Sequence, residues 1–75
     1  MTWQDRIAID PKVMGGKPVI QGTRVPVQSI IAALAGGDDV PRVCDQFAVA
    51  EADVRAALAY AAETLADERV YALSS

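Results

Sequence analysis

The sequence predicts an α+β fold, mostly α, in which a short N-terminal β-hairpin precedes a three-helix, helix-turn-helix-like bundle. Three of the five glycines and two of the four prolines lie between residues 15 and 27, where the chain must turn more than once. After that stretch, three segments repeat apolar residues at helical spacing. The 75 residues therefore form a single small domain, with the hairpin at about 6–25, the helical bundle at about 26–66 and a C-terminal tail at 67–75.

The hairpin is predicted from two short apolar segments separated by turn-forming residues. Residues 6–9 alternate in character until Asp10-Pro11 stops them, which is typical of a strand that ends in a turn. The second strand is predicted at 18–21, because β-branched Val19 and Ile20 directly follow a proline. Since an isolated two-stranded hairpin is only marginally stable in water, we expect it to pack on the helices or on a second copy of the chain.

The first two helices follow from apolar spacing and from the residues at their ends. The first begins at Pro26 and stops at Gly36-Gly37. The second begins after Asp39, a predicted N-cap, and carries Pro41 in its first turn. The predicted buried faces are Val27, Ile30, Ile31 and Leu34 in the first helix, and Val40, Val43, Cys44 and Phe47 in the second.

The third helix is predicted to begin after Ala50, with Val49 and Val54 spaced as a hydrophobic staple. Alanine at the N-cap offers no side-chain acceptor, so we expect a less sharp start and a loss of about 1 kcal/mol relative to a capped helix. The predicted core face is Val54, Leu58, Ala61 and Leu65. The predicted opposite face is a row of methyl groups, Ala52, Ala56 and Ala59, which would permit close approach of a second chain.

Composition excludes several classes of function. Hydrophobic residues make up 52% of the chain, more than a domain this small can bury, so we expect self-association, most simply a homodimer. There is no histidine, and Cys44 is the single cysteine, so we expect no disulfide, no catalytic centre, no metal and no cofactor. No apolar run approaches the roughly 18 residues of a membrane span, and the N-terminus has no signal pattern, so we expect a cytoplasmic protein.

Two motifs have alternative interpretations. Gly15-Gly16-Lys17 invites comparison with a phosphate-binding loop, but Pro18 removes a backbone donor, which favours a tight turn with a solvated lysine. Arg24 could clamp a phosphate or a carboxylate. The favoured alternative is local: Arg24 bonds carbonyls of the Gly22-Thr23 turn or pairs with Asp10.

The net charge of −3 is unevenly distributed. Residues 1–37 contain four basic and two acidic groups, net +2, whereas residues 38–75 contain three basic and eight acidic groups, net −5. A free-standing nucleic-acid-binding protein usually has a strong basic field, so we expect any DNA binding to be weak and salt-dependent. The third helix offers mainly Arg55 to read bases, which favours packing against a protein instead. The candidate phosphate contacts are Lys12, Lys17, Arg24 and Arg42.

The sequence motifs within residues 10–27 resemble those of a known family. Asp10-Pro11, residues 16–20 (Gly-Lys-Pro-Val-Ile), Gly22-Thr23-Arg24 and Val27 resemble the small bacterial domain-of-unknown-function family four hundred thirty-three, and the likeness covers about residues 7–62. The resemblance implies a β-hairpin joined to a three-helix, helix-turn-helix-like bundle. It also implies an antitoxin that binds and neutralises a PIN-like ribonuclease toxin. A small dimeric helix-turn-helix DNA-binding regulator is the alternative.

PIN-like ribonucleases resemble one another in having a cluster of acidic residues that holds a metal ion and a basic entrance through which RNA reaches it. An inhibitor of such a partner could therefore act in two ways. Arg24 or Lys17 could pair with the metal-binding carboxylates. Alternatively, the acidic C-terminal half could cover the basic entrance, and the charge distribution favours this mode. The tail would then supply apolar anchors, Val70, Tyr71 and Leu73, with Tyr71 the expected hot spot.

Overall fold

A computed structural model describes residues 3–67 of the chain. The elements, in order, are β1 (Ile7–Ala8), a 3-10 turn (Met14–Gly16), β2 (Val19–Ile20), α1 (Val27–Ala35), α2 (Val40–Phe47) and α3 (Glu51–Asp67). The predicted fold class, a short hairpin followed by three helices, is confirmed. Within the described residues, every helix is too short or too polar to cross a membrane.

The two strands are antiparallel, and β2 is hydrogen-bonded on both of its sides. Ile7 lies opposite Ile20, and Ala8 lies opposite Val19. On the other side of β2 the chain returns through residues 25–27. The Ile20 N–H donates to the Val25 carbonyl at 3.0 Å, and the Val27 N–H donates to the Pro18 carbonyl at 3.0 Å. This return places the start of α1 directly beside the hairpin.

Thr23 closes the turn between β2 and α1. Its hydroxyl donates to the Ile20 carbonyl at 2.7 Å and accepts from the Val25 N–H at 3.0 Å. Gly22 precedes it with φ of 78°, a conformation that glycine adopts without the steric cost a side chain would bring. The turn is therefore held by one hydroxyl that serves two backbone groups.

The hairpin and the three helices share one core. Ile30 of α1, Val43 of α2 and Val54 of α3 are fully buried, and they belong to the same apolar cluster as Ile7 and Ile20 of the hairpin. The buried residues include no polar or charged side chain among those the structure describes. Each strand and each α-helix thus contributes at least one side chain to a single core, as a domain of this size requires.

The end of α1 and the start of α2 are as the sequence predicts, whereas α1 begins one residue later than predicted, with Pro26 as its extended N-cap. The Gly36 N–H donates to the Ala32 carbonyl at 2.9 Å, and Gly37 turns the chain with φ of 106°. The Asp39 carboxylate accepts the Arg42 N–H at 2.9 Å, so Asp39 is the N-cap of α2. Helix α2 ends at Phe47, and Ala48 after it takes the left-handed conformation, φ 57°, usually occupied by glycine.

The start of α3 is better supported than the sequence indicates. Ala50 provides no side-chain acceptor, but the Asp53 carboxylate accepts the Ala50 N–H at 3.0 Å, which is one half of a capping box. The other carboxylate oxygen of Asp53 pairs with the Arg6 guanidinium at 3.0 Å. Asp53 therefore orders the first turn of α3 and also ties that helix to the residue preceding β1.

The predicted orientation of α3 is wrong. Val54 is buried as expected, but the other fully buried residues are Ala56 and Ala57, whereas Leu58 is 46% and Leu65 67% exposed. The buried face is rotated by roughly a quarter turn from the predicted one. The physical reason is proximity: methyl groups at the contact let the α3 backbone lie close to the other helices, where leucines would not fit.

We expect Asp53→Ala to lower the free energy of unfolding by about 1–2 kcal/mol, because it removes both the bond to the Ala50 N–H and the ion pair with Arg6. Arg6→Ala is the matched control. It removes only the half-exposed ion pair, so its expected cost is about 0.5 kcal/mol. Urea unfolding followed by circular dichroism measures both variants, and equal losses would show that the backbone bond contributes nothing.

Candidate interaction surface

An open apolar groove of about 550 Å³ lies between α1 and the C-terminal half of α3. Its lining comes from the outward face of α1, from the last turns of α3 and from the residues that precede β2. The set contains one charged side chain, that of Lys17. The lining residues are Lys17, Pro18, Pro26, Val27, Gln28, Ile31, Ala32, Ala35, Tyr60, Ala61, Thr64 and Leu65.

The groove has a buried floor and an exposed rim. Val27 is only 4% exposed and Ile31 is half-buried, whereas Ala32 and Ala35 are exposed. Leu65 is 67% exposed, a large value for a leucine beside other apolar groups. The groove therefore offers apolar contacts to an occupant without any rearrangement of the core.

The Tyr60 wall of the groove is held in place by Trp3. The two rings meet edge to face, with centroids 4.9 Å apart and planes at 87°, a favoured arrangement for aromatic pairs. The Trp3 indole N–H donates to the Glu63 carboxylate at 2.6 Å. Trp3 precedes β1, so the N-terminal segment fixes the side chain of a helix far away in the sequence.

The four basic residues predicted to contact phosphate, Lys12, Lys17, Arg24 and Arg42, are all exposed. The structure places three of them in three different environments. Arg42 pairs with Asp38 at 3.5 Å, beside Asp45. Lys17 lies on the rim of the groove, and Arg24 lies in a hollow of the hairpin. No basic patch is formed from these three residues.

The predicted local role of Arg24 is wrong. Its guanidinium makes no hydrogen bond or ion pair with any of residues 3–67, although it lines the same hollow as Asp10. The Thr23 hydroxyl bonds the Ile20 carbonyl and the Val25 N–H, and the Asp10 carboxylate accepts the Lys12 N–H at 2.9 Å, so the turns are held without the Arg24 guanidinium. Arg24 is therefore available to a ligand or a partner, as is the exposed Lys17.

The predicted alanine interface is corrected in part. Ala56 is fully buried within the chain, so no partner can contact it, whereas Ala52 and Ala59 are half-buried. A homodimer stays a prediction, and its interface cannot include Ala56. The predicted anchors of the tail, Val70, Tyr71 and Leu73, lie outside the described residues.

The groove itself was not predicted from the sequence, although α1 carries a signal for it. Of its nine residues, Val27–Ala35, only Gln28 and Ser29 are polar. A helix that is apolar around most of its circumference has more than one face to cover. Reading that excess as a second contact surface on α1 would have located the groove.

Titratable side chains form no metal site that the structure shows. Across residues 3–67, no three or more histidine, cysteine, aspartate or glutamate side chains are grouped so that they could hold a metal ion. The polar hollow lined by Asp38, Arg42, Asp45 and Gln46 contains an ion pair already satisfied within the chain. Among these surfaces of the described residues, the apolar groove is therefore the best candidate for a binding site.

Comparison with known proteins identifies the family. The family described as Protein of unknown function (DUF433) matches residues 7–61. The chain belongs to this family. The membership expected from the motifs around Gly16 and Arg24 is thus confirmed, and the antitoxin role remains a prediction.

The proteins that are similar to this DUF433 domain include longer ones. It is 38% identical over 56 residues to Uncharacterized protein y4eO of Sinorhizobium fredii, covering 73% of this chain but 25% of that protein. An uncharacterized protein of Archaeoglobus fulgidus is 60% identical over 25 residues, 33% of this chain and 69% of its own. The crystal structure of Rv2018 from Mycobacterium tuberculosis superposes with a TM-score of 0.67 at 29% identity, covering 76% of this chain and 27% of that one. The chain thus spans about a quarter of y4eO and of Rv2018.

We expect duplex DNA to bind weakly, with an affinity that falls steeply as salt is raised, because scattered lysines and arginines can contact phosphates but read no bases. Charge reversal at Lys12, Lys17 or Arg24 should weaken binding equally for all sequences. Arg55 is the control, since it pairs with Glu51 at 3.3 Å on the exposed face of α3. Fluorescence anisotropy at several salt concentrations tests this, and tight sequence-specific binding lost in Arg55→Ala would favour the DNA-binding regulator.

Proposed function

We propose that this DUF433 domain is a non-catalytic interaction module that binds and neutralises a PIN-like ribonuclease toxin, as an antitoxin-like protein. The observation that carries the proposal is the apolar groove between α1 and α3. An exposed apolar surface of this kind, rimmed by polar residues, is typical of a site for another protein. The choice of partner rests on the family resemblance described above.

The groove has the shape and chemistry for an apolar segment of the partner. Its walls are two helices, and its exposed members Ala32, Ala35 and Leu65 leave room between them. Partners commonly fill such grooves with the apolar face of a helix, whose side chains recur every three or four residues. Lys17, Gln28 and Thr64 at the groove can orient that helix through hydrogen bonds.

The charges of α2 and α3 suit a basic partner. Residues 38–67 contain seven acidic and two basic groups, a net charge of −5. Arg42 and Arg55 both pair with carboxylates of their own chain. The field around α2 and α3 is therefore acidic, and it would complement the basic RNA entrance of a ribonuclease and speed association with it.

The exposed Arg24 also suits the other mode of inhibition, in which a basic side chain pairs with the metal-binding carboxylates of the partner. Within the described residues its guanidinium is unpaired, so it could reach a cluster of metal-binding carboxylates in the partner without losing a bond of its own. Arg24 does not line the groove, whereas Lys17, the other candidate for this mode, does. Substitutions in the groove and at Arg24 therefore separate the two modes.

We expect Leu65→Asp to weaken the complex with a co-expressed PIN-like ribonuclease by about tenfold or more, because it places a charge in an apolar contact. Leu58→Asp is the matched control: Leu58 is also exposed on α3 but does not line the groove. Affinity by calorimetry and residual ribonuclease activity are the measurements.

If the groove forms the contact with the ribonuclease, Arg24→Ala should leave the affinity and the residual ribonuclease activity unchanged. Loss of inhibition in Arg24→Ala, with Leu65→Asp still fully inhibitory, would replace the groove by the metal-site mode. If all three variants and the unaltered chain fail to bind or inhibit the ribonuclease, the antitoxin proposal itself is wrong.

A further inference from the structure

Trp3 contacts one turn of α3 beside the groove. Its ring meets the ring of Tyr60, and its indole N–H donates to Glu63, three residues further along the helix. Since residues three apart are neighbours on one face of a helix, Trp3 spans about one turn of α3. Tyr60 lines the groove, whereas neither Trp3 nor Glu63 does. The link between Trp3 and the groove therefore runs through the Tyr60 ring.

The Tyr60 side chain has no polar contact that would fix its orientation. It is half-buried, and its hydroxyl makes no hydrogen bond with any of residues 3–67. A long side chain on a helix has two favoured χ1 positions, and rotation between them changes which neighbours the ring contacts. The orientation of the groove wall therefore depends on what packs against the ring.

Trp3 is itself anchored at several points. Its carbonyl accepts the N–H groups of Arg6 and Ile7 at 2.9 and 3.0 Å, which closes a turn directly before β1. Arg6 pairs with Asp53, so residues 3–6 are attached to α3 at two places, residues 53 and 63, about 15 Å apart along the helix. Trp3 is thus a fixed support for Tyr60, because its displacement would also break bonds at the start of the hairpin.

We propose that Trp3 is a positioning residue for the groove: it fixes the Tyr60 ring in the orientation that forms the groove wall, and it thereby raises the affinity of the groove for its occupant. The physical cause is preorganisation. A ring that is already fixed loses no rotational freedom when an occupant packs against it, so the complex is more stable. The effect on affinity rests on the proposed function, whereas the effect on the Tyr60 orientation does not.

The orientation of Tyr60 is measured in the free chain by the scalar couplings between its Hα and Hβ protons, which report the populations of the χ1 positions. We expect one position in the unaltered chain and in Trp3→Phe, which keeps an aromatic edge, and averaged couplings in Trp3→Ala. Arg6→Ala is the matched control, because it cuts the other attachment of the same segment and should leave the couplings unchanged. Unchanged couplings in Trp3→Ala, or equal averaging in Arg6→Ala, would overturn the proposal.

Glu63→Ala takes the place of Trp3→Ala if that variant loses its fold, since Trp3 packs against the core cluster. Glu63 is exposed and accepts the indole N–H, so its truncation loosens Trp3 without opening the core. The Tyr60 couplings should then move toward the averaged values. Couplings identical to those of the unaltered chain would show that Trp3 does not fix the ring.

The affinity for a co-expressed PIN-like ribonuclease tests the effect on binding. Trp3→Ala should weaken the complex about fivefold, and Trp3→Phe should stay within about twofold of the unaltered chain. In a Tyr60→Ala background, Trp3→Ala should have no further effect, because the ring through which Trp3 acts is absent. This double-mutant cycle separates positioning from a merely structural role, which would weaken binding in both backgrounds.

Two affinity results would overturn the proposal. One is an unchanged affinity in Trp3→Ala, and the other is equal weakening by Trp3→Ala with and without the Tyr60 ring. If the unaltered chain fails to bind the ribonuclease, the proposed function is wrong and the effect on affinity falls with it. The Tyr60 couplings of the free chain then decide by themselves whether Trp3 positions the groove wall.

Discussion

The fold depends on the contact between the N-terminal hairpin and α3. Strands of two residues each cannot persist alone in water, so the hairpin exists because Ile7 and Ile20 enter the core formed by the helices. Two polar contacts, Arg6 with Asp53 and Trp3 with Glu63, reinforce this packing at opposite ends of α3. The hairpin in return positions the start of α1 through the bonds along β2.

The same contact explains why the groove is open. Helix α3 approaches the core through Ala56 and Ala57, so its leucines are left on the outside, and Leu65 borders the groove. A core built on methyl groups is compact but buries little apolar area per residue. The apolar side chains that remain exposed are then available for a partner, which links the thin core to the proposed function.

The sequence predicts the order of the elements, because glycine, proline and an N-capping aspartate act locally. Asp39 and Gly36-Gly37 set helix ends through bonds to their own neighbours. The face of α3 could not be predicted in the same way, since a helix rich in alanine has a weak apolar pattern and the choice between faces is made by proximity to other elements. The long-range roles of Trp3 and Asp53 were missed for a related reason: each depends on a partner more than 40 residues away.

Native-state hydrogen exchange tests the dependence of the fold on the hairpin most directly. If hairpin and helices form one cooperative unit, the Ile20 and Gln21 amides, which donate to Val25 and Arg6, should open with the same free energy as the Ala57 amide in α3, within about 0.5 kcal/mol. The Asp53→Ala substitution should lower the opening free energies of all three amides together. An opening free energy of the hairpin amides that is about 2 kcal/mol lower than that of the Ala57 amide would contradict this dependence, because α3 would then stay protected while the hairpin opens.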